Sequence, residues 1–99
     1  MIQHIVMFKL KNIPKERELN INKLKDKLDN LKNKIPQIID LQTGVNISTS
    51  SNAYDLVLVT LFKDQQELED YKIHPEHLLV LDYLKEVNET MTVVDYTLD

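Results

Sequence analysis

Two segments of this chain, residues 2–10 and 54–62, alternate with a period of two and carry apolar side chains at both sets of alternating positions. Period two is typical of a β-strand, whose successive side chains point to opposite faces of a sheet. A strand that is apolar on both faces needs cover on both sides, so each segment is predicted to be a central strand. One face of the first segment carries Ile2, His4, Val6, Phe8 and Leu10, and the other carries Gln3, Ile5, Met7 and Lys9.

Between these two strands, the sequence predicts a helix followed by an edge strand. The helical segment begins near Pro14 and is stopped by Pro36, because the residue before a proline is pushed out of the helical region. Its apolar residues recur at intervals of three and four, which is the pattern of an amphipathic helix. Residues 38–47 have one polar face and are predicted to form an edge strand. The buried helical positions are predicted to be Ile21, Leu24, Leu28, Leu31 and Ile35.

After the second central strand, the sequence predicts an interrupted helical region and a final strand. Asp64 and Glu67 have the spacing of a capping box at the start of a helix. His74 and Pro75 break or kink that helix, and Pro75 can open a second helical segment. Residues 91–98 alternate weakly and are predicted to form the other edge strand. The residues predicted to share one face of the second segment are His77, Leu81 and Leu84.

This order of elements is βαββαβ, which predicts a ferredoxin-like α+β fold with a four-stranded antiparallel sheet. In that fold the first and third strands are central, and both helical regions cover the same face of the sheet. The uncovered face would expose Ile5, Met7, Val57, Val59 and Leu61 to water. Monomers rarely expose an apolar patch of that size, so we predict a homodimer in which two sheets pack face to face.

Length and composition restrict the class of protein. The 99 residues have the length of one domain, so residues 1–99 are predicted to be a single domain. The absence of cysteine excludes disulfides, thiolate nucleophiles and cysteine-based metal centres. The N-terminus is too short and too alternating for a signal peptide, and no apolar run approaches the ~18 residues of a membrane span. We therefore predict a cytoplasmic protein with no membrane partner.

The charge distribution is uneven along the chain. Residues 1–36 carry nine basic and four acidic side chains, whereas residues 37–99 carry three basic and twelve acidic ones. We interpret this split as two complementary surfaces within the fold rather than as a nucleic-acid surface. The chain has eleven lysines and one arginine, although bidentate recognition of phosphate or guanine favours arginine. The strand at 54–62 also lacks the glycine and basic residues of RNA-recognition modules, so no nucleic-acid partner is predicted.

Four motifs are similar to those of a known family. They are His4-Ile-Val-Met-Phe-Lys9, Gly44 within Thr-Gly-Val-Asn, Tyr54-Asp-Leu-Val-Leu-Val followed by Phe62, and Tyr71-Lys-Ile-His-Pro-Glu-His77. Together they resemble the stress-responsive A/B barrel domain, or Dabb, over nearly the whole chain. The resemblance implies a dimeric α/β barrel in a family of plant polyketide cyclases, stress-associated oligomers and many bacterial proteins. The low-arginine composition, rich in Lys, Asn and Ile, indicates a bacterial member.

The resemblance also implies a set of catalytic residues. In the cyclase branch, a first-strand histidine, a tyrosine and the last histidine of the fourth motif line the pocket, and these match His4, Tyr71 and His77. The implied activity is cyclase- or lyase-type acid–base chemistry on a small keto-type substrate. His77 would remove a proton next to a carbonyl, since an imidazole pKa of about 6.5 suits that task at neutral pH. Tyr71 would donate to the carbonyl oxygen, and His4 would orient the substrate or His77.

Other interpretations stay open on the sequence. His77 can instead be a core histidine bonded to a backbone carbonyl, in a non-catalytic stress-associated structural homodimer or oligomer. Cofactor-free monooxygenases share the same dimeric fold. A metal site would need His4, His74, His77 and Glu76, but His-x-x-His is not the i, i+4 spacing of helical zinc motifs. We predict no cofactor or metal, and we predict that His74 caps or kinks the helix at Pro75.

Overall fold

The computed structural model of the chain describes residues 1–98. Between these residues the chain forms four strands and four helices, and none of these helices is long and apolar enough to cross a membrane. The order agrees with the predicted one, except that the first predicted helix is divided in two. The elements are β1 (Ile2–Leu10), α1 (Arg17–Asp29), α2 (Leu31–Lys34), β2 (Asp40–Val45), β3 (Leu56–Phe62), α3 (Gln65–Lys72), α4 (Pro75–Val87) and β4 (Asn88–Thr97).

The strands form an antiparallel sheet in the order β2-β3-β1-β4. β1 pairs with β3 on one side and with β4 on the other, and β3 also pairs with β2. The predicted central strands are therefore central, and the predicted edge strands are at the edges. With its βαββαβ order, the chain has the predicted ferredoxin-like α+β fold.

The apolar stripe of the first helical region is buried at every predicted position. The helix begins at Arg17 rather than near Pro14, because Lys15 has a positive φ of 69° that a right-handed helix cannot include. A turn at Asn30 then separates α1 from α2. The predicted single helix is therefore two helices that share one buried stripe: Ile21, Leu24, Leu28, Leu31 and Ile35.

The second helical region is capped and broken as predicted. The Asp64 carboxylate accepts a hydrogen bond of 2.9 Å from the backbone N–H of Glu67, which confirms the predicted N-cap of α3. Pro75 occupies the first turn of α4, where its missing N–H is not needed. The His74 side chain caps α4, since its Nδ1 accepts a hydrogen bond of 3.1 Å from the backbone N–H of Glu76. The predicted break and the predicted capping role of His74 are confirmed.

The predicted strand boundaries differ from the observed ones. The first edge strand was expected at 38–47, but β2 ends at Val45, and Ile47 is 98% exposed. The Asn46 side chain accepts a hydrogen bond from the Ser48 N–H and donates one to the Ser48 carbonyl, so this local turn replaces strand pairing. The last strand is longer than predicted, because it begins at Asn88 directly after α4 and pairs with β1 from there.

The two faces of the sheet differ in cover. One face forms the hydrophobic core together with the helices. The other, which we call the outer face, carries cross-strand rows of apolar side chains from β1, β3 and β4 that are half-buried or exposed. The predicted second apolar face is therefore present. Its apolar members are Ile5, Met7, Val57, Val59, Leu61, Val94 and Tyr96.

The basic first third of the chain pairs with the acidic remainder. Four ion pairs made by lysine or arginine among residues 1–98 join the two parts, as expected if the uneven charge reflects complementary surfaces. The pairs are Lys9–Glu89, Arg17–Asp55, Lys32–Asp40 and Lys34–Glu76.

Asp55 connects three segments at the start of β3. Its carboxylate accepts a hydrogen bond of 2.8 Å from the backbone N–H of Leu10 and another from the guanidinium of Arg17. Its own N–H donates to the Phe8 carbonyl at 2.8 Å. Asp55 is 6% exposed, so water cannot replace these partners. The side chain therefore fixes the end of β1 and the start of α1 against β3.

We expect Asp55→Ala to lower the free energy of unfolding by about 2–4 kcal/mol, because it leaves the buried N–H of Leu10 and the charge of Arg17 without a partner. Denaturant unfolding at fixed chain concentration measures the change. Asp40→Ala is the matched control, since the Asp40–Lys32 pair spans 3.7 Å at the surface and its loss should cost under about 1 kcal/mol. Equal effects of the two substitutions would contradict the role of Asp55.

Candidate functional site

A cavity of about 320 Å³ lies between α4 and the helix-covered face of β1 and β4. Most of its lining is apolar and comes from α1, β1, β3, α4 and β4. The polar side chains in the lining are His4, Tyr71, Lys72 and His77. A mostly apolar cavity with a few clustered polar groups is the usual form of a small-molecule site. The apolar lining consists of Val6, Phe8, Leu28, Leu58, Val80, Leu81, Leu84, Met91 and Val93.

The three residues predicted to be catalytic meet in this cavity. The ring centroid of Tyr71 lies 4.4 Å from that of His77 and 5.9 Å from that of His4. Phe62 packs against the Tyr71 ring at 4.9 Å and supports it from the core. Three separate elements, β1, α3 and α4, thus bring two imidazoles and a phenol into one cluster.

The backbone fixes the proton of His77. This residue lies in the first turn of α4, and its Nδ1 is 2.9 Å from the carbonyl oxygen of Lys72 at the end of α3. A carbonyl only accepts hydrogen bonds, so Nδ1 carries the proton and Nε2 of the neutral ring has a free lone pair. Burial lowers the pKa of His77 below its ordinary value, and nearby positive charge on His4, His74 and Lys72 adds to this effect. The Lys72 carbonyl opposes the shift. The ring is therefore held as a neutral base.

Tyr71 has a buried hydroxyl without a hydrogen-bond partner among residues 1–98. The residue is 1% exposed, and burial raises its pKa well above the ordinary value, so the phenol stays protonated. An unpaired buried hydroxyl costs about 1–3 kcal/mol, which is unusual in a core. Tyr71 lines the cavity, but its hydroxyl oxygen is closed off from solvent, so an acceptor atom on a bound molecule can satisfy it only after a small shift of the neighbouring side chains.

His4 is held by a carboxylate that the sequence analysis did not identify. In the β1–β4 register His4 lies opposite Asp95, and the His4 Nδ1 is 2.5 Å from an Asp95 carboxylate oxygen. Nδ1 therefore donates, and Nε2 is the nitrogen left for other partners. A buried histidine on a central strand requires such a partner, but the sequence does not reveal the register that supplies it. His4 and Asp95 thus form a second oriented group beside Tyr71.

The remaining candidates lie elsewhere. His74 is not part of the cavity lining, and it serves as the cap of α4. Lys72, which was not predicted, also lines the cavity, and its carbonyl accepts the hydrogen bond from His77. Among residues 1–98, no group of three or more His, Cys, Asp or Glu side chains converges as a metal site would require. The arrangement considered for a metal, with His4, His74, His77 and Glu76 together, does not form.

Comparison with known proteins agrees with the four motifs. Residues 2–98 match the family model of the stress responsive A/B barrel domain. This chain belongs to that family. The curated relative DABB1 of Arabidopsis thaliana, a stress-response A/B barrel domain-containing protein, is 26% identical over 98 residues, covering 96% of this chain and 46% of the relative. The chain thus spans about half the length of that relative.

Solved structures share the fold. A protein from Bacteroides fragilis, described as dimeric with a ferredoxin-like fold, is 30% identical with a TM-score of 0.88, and the match covers 98% of this chain and 95% of that one. Its description as a dimer supports self-association of this Dabb chain. The hydroxynitrile lyase from Passiflora edulis has a TM-score of 0.81 at 16% identity, over 99% of this chain and 93% of that one. At that identity the likeness concerns the fold alone.

The lowered pKa of His77 predicts how stability depends on pH. The unfolded chain, with a histidine pKa near 6.5, binds a proton at this residue before the folded chain does. The stability that neutral His77 contributes is therefore present above pH 6.5 and is lost as the pH falls below it. We expect His77→Gln to reduce the loss of unfolding free energy between pH 7 and pH 5, measured by denaturant unfolding.

The control for this experiment is His74→Asn, which removes an imidazole three positions earlier and outside the cavity lining but keeps an acceptor for the Glu76 N–H. Imidazole nitrogen NMR at pH 7 should also show the His77 proton on Nδ1. A protonated His77 ring at pH 7, or a proton on Nε2, would contradict this interpretation.

Proposed function

We propose that this Dabb domain binds a small, mostly apolar keto-type molecule in the cavity and acts on it by cyclase- or lyase-type acid–base chemistry. The observation that carries the proposal is the convergence of an oriented neutral imidazole and an unpartnered phenol on one apolar cavity. The volume of about 320 Å³ lies at the small end of ligand pockets, which favours a small substrate.

The geometry suggests a role for each residue. The free Nε2 of His77 takes a proton from the carbon next to the carbonyl, and the electron pair of the broken C–H bond moves toward the carbonyl oxygen. The Tyr71 hydroxyl donates a hydrogen bond to that oxygen as negative charge develops on it. His4, held by Asp95, orients the substrate from the β1 side. Acid–base catalysis of this kind contributes ~10²–10⁴ in rate.

The structural alternative accounts less well for the same residues. A non-catalytic dimer would use His4, Tyr71 and His77 to fill and satisfy its core. His4 and His77 do have partners, as that alternative requires. The Tyr71 hydroxyl has none among residues 1–98, and Tyr71 lines an open cavity rather than a filled interior. Tyr71 therefore favours the binding role.

The fold of relatives gives limited support. A hydroxynitrile lyase has this fold, which is compatible with lyase-type chemistry at the level of the fold only. Monooxygenase-type chemistry stays a prediction. It ranks second because no feature of the cavity favours it over proton transfer. The predictions that residues 1–99 are one domain, and that the protein is bacterial and cytoplasmic, also stay predictions.

We further propose that the chain is a homodimer whose two outer faces pack together into an α/β barrel. The outer face measures roughly 19 by 23 Å from strand spacing and length, or about 440 Å² in flat projection. Two such faces bury close to the ~1,000 Å² that a specific interface needs, even though the flat projection leaves out the extra surface of protruding side chains. The dimeric relative from Bacteroides fragilis supports this pairing.

Proton exchange on a β-diketone tests the proposed chemistry. With 2,4-pentanedione in D₂O at neutral pH, we expect the protein to speed the exchange of the C3 proton for deuterium, followed by NMR. We expect His77→Gln to slow this exchange by ~10²-fold or more, because the base is removed while the amide can still donate to the Lys72 carbonyl. His74→Asn is the matched control and should exchange at the wild-type rate, because the asparagine side chain keeps an acceptor for the Glu76 N–H. Equal rates for both variants would refute His77 as the base.

Tyr71→Phe separates the functional role from the structural one. Removing an unpaired buried hydroxyl should raise the free energy of unfolding by about 1–3 kcal/mol. The same substitution should slow diketone exchange by ~10²-fold, because the donor to the developing negative charge is lost. Denaturant unfolding and NMR exchange measure the two effects. A variant with unchanged exchange would show that the hydroxyl has no catalytic role.

A further inference from the structure

The outer face has a hollow at one corner. It has a volume of about 420 Å³ and lies where β2 and β3 meet the loop between them. Gly44 of β2 contributes no side chain to its floor, and even a Cβ there would lie 3.3 Å from Val57. Met7 and Val57 make part of the lining apolar, whereas Asn46 and Asn52 bring amides to it. The hollow thus has an apolar floor and amides in its wall.

The diagonally opposite corner carries an aromatic side chain. Tyr96 of β4 lies opposite Gln3 on β1, and it is 44% exposed. Among the paired strand residues of the outer face that the structure describes, it is the one aromatic, whereas Tyr54 lies in the lining of the hollow itself. Along the strands, the cross-strand row that contains Gly44 lies four residues from the row that contains Tyr96. Across the sheet, β2 and β4 are three strand spacings apart. Strand geometry therefore separates the two corners by about 20 Å.

We propose that Tyr96 of each copy inserts into the Gly44 hollow of its partner. This inference rests on the proposed pairing of outer faces and specifies its register. In a two-fold interface, any protrusion that meets a hollow does so twice, because the same contact is repeated by symmetry. Tyr96 and the hollow are the protrusion and the depression that this face offers.

The chemistry of the hollow suits a tyrosine. Its ring can pack on Met7 and Val57, and its hydroxyl can reach the amides of Asn46 and Asn52. Tyrosine in an interface commonly has one apolar side and one hydrogen-bonded end. The occupant is therefore a second copy of this chain rather than a small ligand, since the copy brings the matching side chain on a face that already needs cover.

The proposal fixes the direction of the symmetry axis. Between these corners the outer face is nearly square, about 14 by 13 Å from strand spacing and rise. Gly44 meets the partner's Tyr96 only when the axis runs along the other diagonal, from Asp40 to Thr92. An axis along that diagonal turns the strands of the partner by about 90°, which is the orthogonal class of sheet packing.

The other two simple axes predict different neighbours. An axis parallel to the strands would place the Gly44 corner on the partner's Thr92. An axis across the strands would place it on the partner's Asp40. Each arrangement thus brings a different pair of corners together, and the three can be told apart by cross-linking.

Cysteine cross-linking tests the register, and the chain has no cysteine of its own to interfere. A tagged Asn52→Cys variant, which marks the hollow, is mixed in turn with an untagged single variant carrying Gln3→Cys beside Tyr96, Thr92→Cys or Asp40→Cys. With a short bismaleimide, we expect a covalent dimer of mixed mass from the Asn52–Gln3 mixture and at least ~10-fold less from the other two. Each chain then carries one cysteine, so no link forms within one copy, and links between identical variants, which residues on the axis can form, are separated by mass.

Truncation of Tyr96 gives a second readout. We expect Tyr96→Ala to raise the dimer dissociation constant at least ~10-fold, as loss of an aromatic side chain buried in a partner's pocket does. Tyr96→Phe should have a smaller effect, because it keeps the ring. Val93→Ala on the opposite face of β4 is the control and should leave the dissociation constant unchanged.

The outcomes separate this inference from the proposals on which it rests. A wild-type mass of one 11.6 kDa chain by light scattering at micromolar concentration would refute the dimer and the register together. A dimer that links Asn52 to Thr92 or to Asp40 of the partner, or that is unaffected by Tyr96→Ala, would refute the register alone. Diketone exchange by wild type and His77→Gln is measured independently, so neither result bears on the cavity chemistry.

Discussion

The alternation of β1 is the constraint on which the rest of the structure depends. Successive residues of this strand point to opposite sides, so His4 faces the cavity while Ile5 faces the outer surface. A shift of one residue in register would exchange the two sets. The same pairing that buries the core therefore places the imidazole and prepares the apolar surface for a partner. The cavity and the interface are two sides of one strand, and neither can be moved without the other.

Much of the fold follows from the sequence alone because its signals are local and strong. Both central strands, the five-residue helical stripe, the Asp64 cap and the break before Pro75 each follow from spacing and residue type. The start of α1 could not be predicted, since a positive φ at Lys15 has no sequence signature in a residue that seldom adopts it. The end of β2 was missed because the Asn46 turn competes with pairing.

The candidate site was only partly predictable. His4, Tyr71 and His77 were identified through a motif, but their partners depend on contacts between distant segments. Asp95 reaches His4 only through the β1–β4 register, and β4 is too exposed on both faces for its pattern to reveal that register. Buried polar groups in folded cores are normally hydrogen-bonded. The Tyr71 hydroxyl is an exception, and it lies where function is expected. Departures of this kind are typical of sites rather than of scaffolds.

The interruption between α3 and α4 has a consequence for how this scaffold can evolve. In a continuous helix the Glu76 N–H would bond to the Lys72 carbonyl, but here it bonds to the His74 ring. The carbonyl is thereby free to hold the imidazole of His77. A main-chain acceptor survives every side-chain replacement that leaves the backbone path intact. Neighbouring positions can therefore change to suit new molecules, while the backbone carbonyl continues to fix the tautomer of His77.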